Sequence, residues 1–470
     1  MMFKPVVLWT DALVYLLIAA LVAFGFYVSR REQLRERWGH VIRNRLAVAS
    51  LVVLVAYVAV GLLDSVHFRP ALPHTPGEQQ THYSSQILSL LDVVLAPLRT
   101  AEERTYSAPF AAYSYVKETV SGPGGKDIRK YPRLEYGGRQ LSDPATQRIP
   151  DILRRTAWGV GEGLVLAVLL GAGVCAWRGW RGGTGFRQAA GEVLGGRTEV
   201  PWRVALLTAA AVLVLITVSV NLAPWYHIFG TDKVGEDVYY QTLKSIRTGL
   251  VIGTLTTLVM LPFAIMLGIM AGYFRGWVDD VIQYVYTTLN SIPGVLLIAA
   301  AVLMLQVYIA NHPDLFDTNA QRADLRLLGL CMILGVTNWT GLCRLLRGEA
   351  LKLAESDYVQ AARAFGVGDF PIMVRHIVPN VMHIVLISVV LDFSGLVLAE
   401  AVLSYVGVGV DPTMNSWGNM INRARLEMAR DPMVWWSLLA AFVFMVGLVL
   451  AANLFSDAVR DAFDPHLHER

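Results

Sequence analysis

Charge is scarce in this sequence: only 16% of its 470 residues are Asp, Glu, Lys or Arg, where a soluble globular domain carries about 25%. That scarcity excludes an ordinary water-soluble fold. Cysteine is scarcer still. Cys175, Cys331 and Cys343 all fall in or beside apolar runs, where a thiol behaves as a small hydrophobe, and they offer neither a disulfide framework nor metal-ligand spacing. Phosphate-binding and catalytic patterns are also missing. The nearest approach to a phosphate cradle, "SGPGGKDI", has Val120 where the first glycine should fall and Asp127 where a hydroxyl is needed. The chain is therefore expected to be no enzyme and to hold no cofactor. Neither H-E-x-x-H nor G-x-S-x-G occurs, which leaves hydrolase and metalloenzyme chemistry without support. His376 and His383 lie seven apart, near one helix face, and read as polar residues at a membrane boundary. A net charge of +3, with the basic residues scattered between apolar runs, implies no nucleic-acid partner.

What remains is hydrophobic, at 54% of the chain. Runs long enough to cross a bilayer, about 20 residues each, are expected near 6–28, 46–66, 158–177, 204–223, 249–273, 292–310, 327–343, 381–406 and 434–455. No segment alternates polar with apolar as a membrane β-barrel would. The expected fold is an all-α, polytopic transmembrane helix bundle. The first run is long and poorly charged at its start, so it is read as a span rather than a cleaved signal peptide. Arg-rich "SRREQLRERWGHVIRNR" (29–45) and "RGWRGGTGFRQAAGEVLGGRTEVPWR" (178–203) are expected in the cytoplasm, because short basic loops resist translocation. With nine crossings the N-terminus lies outside and the C-terminus inside. This gives four parts: a helix pair at 1–66, an extracytoplasmic insert at 67–156 rich in Pro and Gly, a third span with a cytoplasmic linker at 157–202, and a core at 203–470.

One polar stretch interrupts the core. In "RLLRGEALKLAESDYVQAARAFGVGDFPIMVRHIVPN", Ser356 or Asp357 can cap a new short helix, Gly366 and Gly368 end it, Pro371 suits the next first turn and Pro379 marks the return to the bilayer. Ala361, Ala362 and Ala364 keep one side slim, so another protein's groove can approach closely. This stretch, "DYVQAARAFGVGDFPIMVRHIVPN", resembles the EAA loop of ABC importer permeases in its dipeptide, oligopeptide and nickel branch. The resemblance implies a six-helix type I permease core preceded by about three helices and an insert, with a coupling loop over 350–380 that docks on a cytoplasmic ATPase. It implies that Asp357, Tyr358, Ala361, Ala362, Ala364 and Gly366 touch the ATPase, while Arg375, His376, Pro379 and Asn380 set the return helix. Gln360 and Val378 depart from the Glu and Leu of the general pattern.

Two further stretches are similar to the same family. "HIFGTDKVGEDVYYQTLKSIRTGL" (227–250) offers turns at Gly230 and Gly235, an Asx-turn at Asp232 and a helix cap at Asp237, with Glu236 where the family often has Arg. "LAEAVLSYVGVGVDPTMNSWGNMI" (398–421) and the tail "NLFSDAVRDAFDPHLHER" complete the resemblance; in the tail, Arg460 lies among Asp457, Asp461 and Asp464. Within the apolar runs, Asp392 and Glu400 stand out, since a carboxylate at mid-bilayer costs about 3 kcal/mol. They are expected to face the bundle interior, where either could meet the ammonium of a passing peptide. The resemblance implies an importer of peptides or similar small solutes in a bacterial inner membrane. Its implied partners are ATPase subunits using ATP and Mg, a second homologous permease chain, an extracytoplasmic solute-binding protein and membrane lipid. The alternatives are an ion-coupled secondary transporter with Asp392 and Glu400 as proton relay, and a membrane scaffold or sensor with a ligand-binding insert.

Overall fold

The computed structural model describes residues 3–72, 82–121, 127–183, 185–316 and 318–463. Strand β1 (Phe3–Val6) precedes helices α1 (Trp9–Arg30), α2 (Glu32–Arg43) and α3 (Arg45–Asp64). The insert holds β2 (His67–Pro70), β3 (Leu88–Ser89), the short helices α4 (Leu90–Val94) and α5 (Ala96–Arg99), and the hairpin β4 (Glu118–Ser121) with β5 (Asp127–Lys130). Next come α6 (Pro144–Arg181), α7 (Phe186–Leu194), α8 (Trp202–Leu222), α9 (Val238–Phe274), α10 (Gly276–Ser291) and α11 (Gly294–Asn311). The chain continues through α12 (Asn319–Asn338), α13 (Thr340–Ala354), α14 (Asp357–Ala364), α15 (Asp369–Ile372), a π-helical turn at Met373–Ile377, α16 (Val378–Tyr405), α17 (Trp417–Glu427) and α18 (Trp436–Phe463).

Among the described residues, nine helical stretches are long and apolar enough to cross a membrane, matching the nine runs expected. The third begins at Pro144 and takes in residues 144–156, which the sequence assigned to the insert. The cause is local: the Asp143 carboxylate accepts from the Ala145 amide at 3.1 Å, and Pro144 supplies a preset first-turn angle. Likewise Asn44 caps α3 through Leu46 N at 2.9 Å, and Ser416 caps α17 through Asn419 N at 3.0 Å. Asp464 of the tail lies outside the described residues.

The contacts define two compact units. The first comprises Met1–Val7, Val28–Thr248 and Asn415–Ala458. Within it β1, β2 and β3 form an antiparallel sheet, and α6 packs closely on α8. A Cβ at Gly159 or Gly163 would stand 2.7 Å from the Cα of Val218 or Val214. Thr217 Oγ1 donates to the Gly159 carbonyl at 2.7 Å. Small residues four apart let helix backbones meet in lipid, where hydrophobic transfer no longer drives association.

The second unit comprises Leu8–Tyr27, Gly249–Met414 and Val459–Arg470. One of its apolar clusters gathers Met260, Ala264, Ile269, Leu346, Val359 and Ile377. Another gathers Ile252, Leu327, Leu334 and Leu403, with Leu13 and Val14 of α1 against it. Gly268 and Gly272 of α9 face α13 so closely that a Cβ would meet the Cys343 carbonyl oxygen at 2.8 Å or Ala350 Cβ at 2.6 Å. The α1 start is fixed to α12, where the Thr10 amide donates to Asp324 Oδ2 at 3.1 Å.

Candidate functional site

The polar interruption folds as the expected short helix. Ser356 occupies the N-cap, but its hydroxyl turns back and donates to the Leu353 carbonyl at 2.5 Å. Gly366 stops α14 with φ +81°, and the Val367 amide returns to the Ala362 carbonyl at 3.1 Å, a left-handed C-terminal cap. Val359 is fully buried and Ala362 packs on the same apolar cluster. Asp357, Tyr358, Gln360, Ala361, Ala364 and Gly366 are exposed. Gln360 Nε2 donates to the Glu355 carbonyl at 2.9 Å, so the amide that departs from the family pattern is engaged by its own loop.

The two halves of the motif meet. Asn380 Nδ2 donates to the Tyr358 hydroxyl at 2.9 Å and to the His376 carbonyl at 2.7 Å, and the Tyr358 and His376 rings lie 6.2 Å apart. Arg375 is exposed and stands apart from that group. Pro379 is within the first turn of α16. Lacking an N–H and crowding the carbonyl four residues back, it accounts for the wide π turn at Met373–Ile377 just before it.

Polar contacts brace this loop against its neighbours. Arg363 stacks over the Tyr273 ring at 5.0 Å, and the Tyr273 hydroxyl donates to Asp369 Oδ1 at 2.7 Å. Arg347 forks onto both oxygens of Asp279, each at 2.6 Å, and holds that carboxyl below its ordinary range. Arg275 pairs with Glu355 at 2.8 Å. These contacts tie α14 to the end of α9, α9 to α15, and α13 to α10. Sequence reasoning missed Phe365 and Phe370, which are 87% and 72% exposed beside α14. Aromatic residues on either side of the Gly366 stop were the available signal.

On α16 the two carboxylates part company. Glu400 is buried and accepts from Ser404 Oγ at 2.7 Å. Asp392 is half-buried, and no hydrogen bond or ion pair engages it among the described residues. Eight residues of helix separate them by about 12 Å, too far to share a proton. Among the described residues no group of three or more His, Cys, Asp and Glu could hold a metal.

A second polar centre lies in the other unit. Asp232 accepts from the Val234 and Glu236 amides, each at 3.0 Å, and Asp237 caps α9 through the Tyr239 amide at 2.8 Å. Gly230 and Gly235 adopt φ +65° and +87°. All of these roles were expected; the identity of what fills the hollows was not. A Cβ at Gly230 would meet the Ser107 carbonyl oxygen at 2.2 Å, and one at Gly235 the Glu103 carbonyl oxygen at 1.7 Å. The insert backbone thus lies directly on this loop, and the Glu103 amide donates to the Gly235 carbonyl at 3.0 Å.

The Glu103 carboxylate also accepts from the Glu135, Tyr136 and Gly137 amides at 2.9, 2.8 and 3.0 Å. His227 is buried between Asp237 at 2.7 Å and Glu103 at 3.4 Å. Burial by itself would push the imidazole down, yet the bonds and charges of the two carboxylates outweigh it and raise its pKa to about 9. Burial pushes Glu103 up, but His227 and the three amides prevail and hold it at about 2. The insert also grips the end of α17 and the start of α18: the Tyr106 hydroxyl donates to Glu427 at 3.2 Å, and the Tyr115 ring stacks edge-on against Trp436 at 4.9 Å.

The family model for the binding-protein-dependent transport system inner membrane component matches residues 264–469. The glutathione transport system permease protein of Pectobacterium atrosepticum is 31% identical over 242 residues, 51% of this chain and 73% of that protein. The oligopeptide transport system permease protein of Mycobacterium tuberculosis is 30% identical over 239 residues, 51% of this chain and 76% of its own length. A chain of the methionine ABC transporter MetNI, solved in inward-facing conformations, covers 48% of this chain and 97% of itself at 14% identity with a TM-score of 0.37, a likeness too slight to argue from. With the Pectobacterium permease 31% identical and matched over 73% of its length, and residues 264–469 matching the family model, the chain belongs to the inner membrane components of binding-protein-dependent transport systems, the permease subunits of ABC importers.

Proposed function

We propose that this permease moves peptides or similar small solutes into the cytoplasm, driven by separate ATPase subunits that consume ATP and Mg and dock on α14. The chain hydrolyses nothing itself. The observation that carries the reading is the bare apolar surface at α14, with Phe365 and Phe370 exposed beside Ala361 and Ala364, mounted on the braced junction described above. A groove closing over Asp357, Tyr358 and the alanines would push this junction, and the core helices would tilt between two states whose balance the nucleotide sets. The glutathione and oligopeptide names of the relatives support the solute class. A second homologous permease chain and a solute-binding protein complete the assembly.

The proposed orientation places α14 in the cytoplasm of a bacterial cell and the N-terminus outside. The Thr10 to Asp324 bond supports it, because it sets the start of α1 level with the start of α12, and α12 with α13 runs from there toward α14. The insert faces outward on a separate ground: the basic loops at 29–45 and 178–203 on either side of it resist translocation. Asp392 is the better candidate for the substrate's ammonium, since Glu400 is occupied by Ser404. A proton-coupled carrier is less well supported because these two carboxylates do not adjoin. The test is uptake by the intact complex in vesicles. Phe365→Ala with Phe370→Ala should reduce ATP-driven uptake at least tenfold while leaving the protein inserted and as thermally stable as before. Unchanged uptake, or uptake that persists without ATP, would overturn the reading.

A further inference from the structure

The two Arg-rich loops contain eleven arginines and four glutamates, with no lysine and no aspartate. Both belong to the same compact unit. Arg43 at the end of α2 reaches Glu199 of the second loop at 3.0 Å, and Arg178 reaches Glu192 at 3.8 Å. Two of the four acids are thereby occupied. Arg35, Arg45, Arg187, Arg197 and Arg203 are all exposed, and their guanidinium groups have no hydrogen-bond or ion-pair partner among the described residues. Arg45 opens α3 and Arg203 lies in the first turn of α8, so both sit where spanning helices leave the hydrocarbon. Beside them Trp180 is 83% exposed and Leu194 71%. Apolar side chains and unneutralised cations at one membrane boundary match a lipid's acyl edge and charged headgroup.

We propose that Arg35, Arg45, Arg187, Arg197 and Arg203 form a binding collar for anionic phospholipid headgroups of the leaflet at these helix ends. Arginine suits this ligand because its fork meets phosphate oxygens in pairs. The inference requires that the chain span a membrane but not that it carry peptides, so transport failure leaves it standing.

The experiment places the full chain in phosphatidylcholine bilayers containing trace spin-labelled phosphatidylglycerol or spin-labelled phosphatidylcholine. Electron spin resonance then gives their relative association at the protein boundary. The expected preference for phosphatidylglycerol is about two- to fivefold at low salt, fivefold being roughly the contribution of one surface arginine, and it should shrink as salt is raised. Substituting all five arginines by Gln should bring the ratio to about one, and substituting all five by Lys should retain most of it. A ratio near one in the native chain overturns the proposal, as does a preference unchanged by the Gln substitutions or by salt. If the Gln chain fails to insert, the Lys chain and the salt titration decide. A Gln chain that keeps its lipid ratio but sheds a co-purifying protein would assign the collar to that protein instead.

Discussion

Gly235 and Gly366 hold similar left-handed angles, φ +87° and +81°, for different reasons. At Gly366 an added Cβ meets nothing within 4 Å, whereas at Gly235 it would stand 1.7 Å from a carbonyl oxygen of the insert. Gly366→Ala should therefore cost only the backbone strain, about 1–2 kcal/mol. Gly235→Ala should cost more and should loosen the insert. Thermal melting and limited proteolysis of the two variants would show it; equal losses would contradict the close contact. His227 carries the pH dependence. Its pKa rises from 6.5 to about 9, so its stabilisation is complete below about 6.5, declines above that and is gone once pH passes about 9. Glu103 falls from 4.5 to about 2, so its share is present above about 4.5 and lost as pH falls toward 2. Protease protection of the insert should be greatest between these limits and should fade toward pH 9. Protection that is flat from pH 6 to 10 would sink the idea. Glu103→Gln should remove about 3 kcal/mol, because it strips a buried partner from a charged imidazole.

At the scale of elements, the loop from α14 to α16 was readable because its punctuation is local. Gly366 needs its left-handed stop, Pro379 opens the return helix, and neither depends on distant residues. What the sequence hid was pairing across distance. Tyr273 lies 90 residues before Arg363, and nothing in either neighbourhood announces that a guanidinium will cover that ring. The first turns of α6 were hidden for a different reason: residues 144–156 are too polar to stand out as a span, and only the local Asp143 cap marks where their helix begins. The Asp279 and Arg347 fork suggests a further test. Arg347→Ala leaves a partly buried carboxylate without its cation and should lower stability by about 3 kcal/mol, measurable as a shift in thermal unfolding of the purified permease. Arg347→Lys should recover only part, since a single ammonium cannot replace a two-pronged contact.

For the whole molecule, the nine apolar stretches found among the described residues were legible because crossing a bilayer sets a minimum length for each of them, and the basic loops suggested which ends face inward. The seat of the insert was not legible. Glu103 joins His227 across 124 residues, and an exposed-looking "AEERTY" offers no hint that its second glutamate will be buried. The proposed orientation predicts that, in sealed right-side-out vesicles, protease cuts a tag placed near Gly124 and spares one at the C-terminus. The opposite pattern would invert every assignment of side.

Because carbonyl groups of residues 103 and 107 occupy the hollows above Gly235 and Gly230, residues 103–115 are not ornament that can be trimmed away. Excising them would leave a charged imidazole with one counter-ion, a tryptophan ring stripped of its neighbour and two dimples open to solvent. Anyone wanting a minimal version of this permease would do better to replace those amino acids than to delete them.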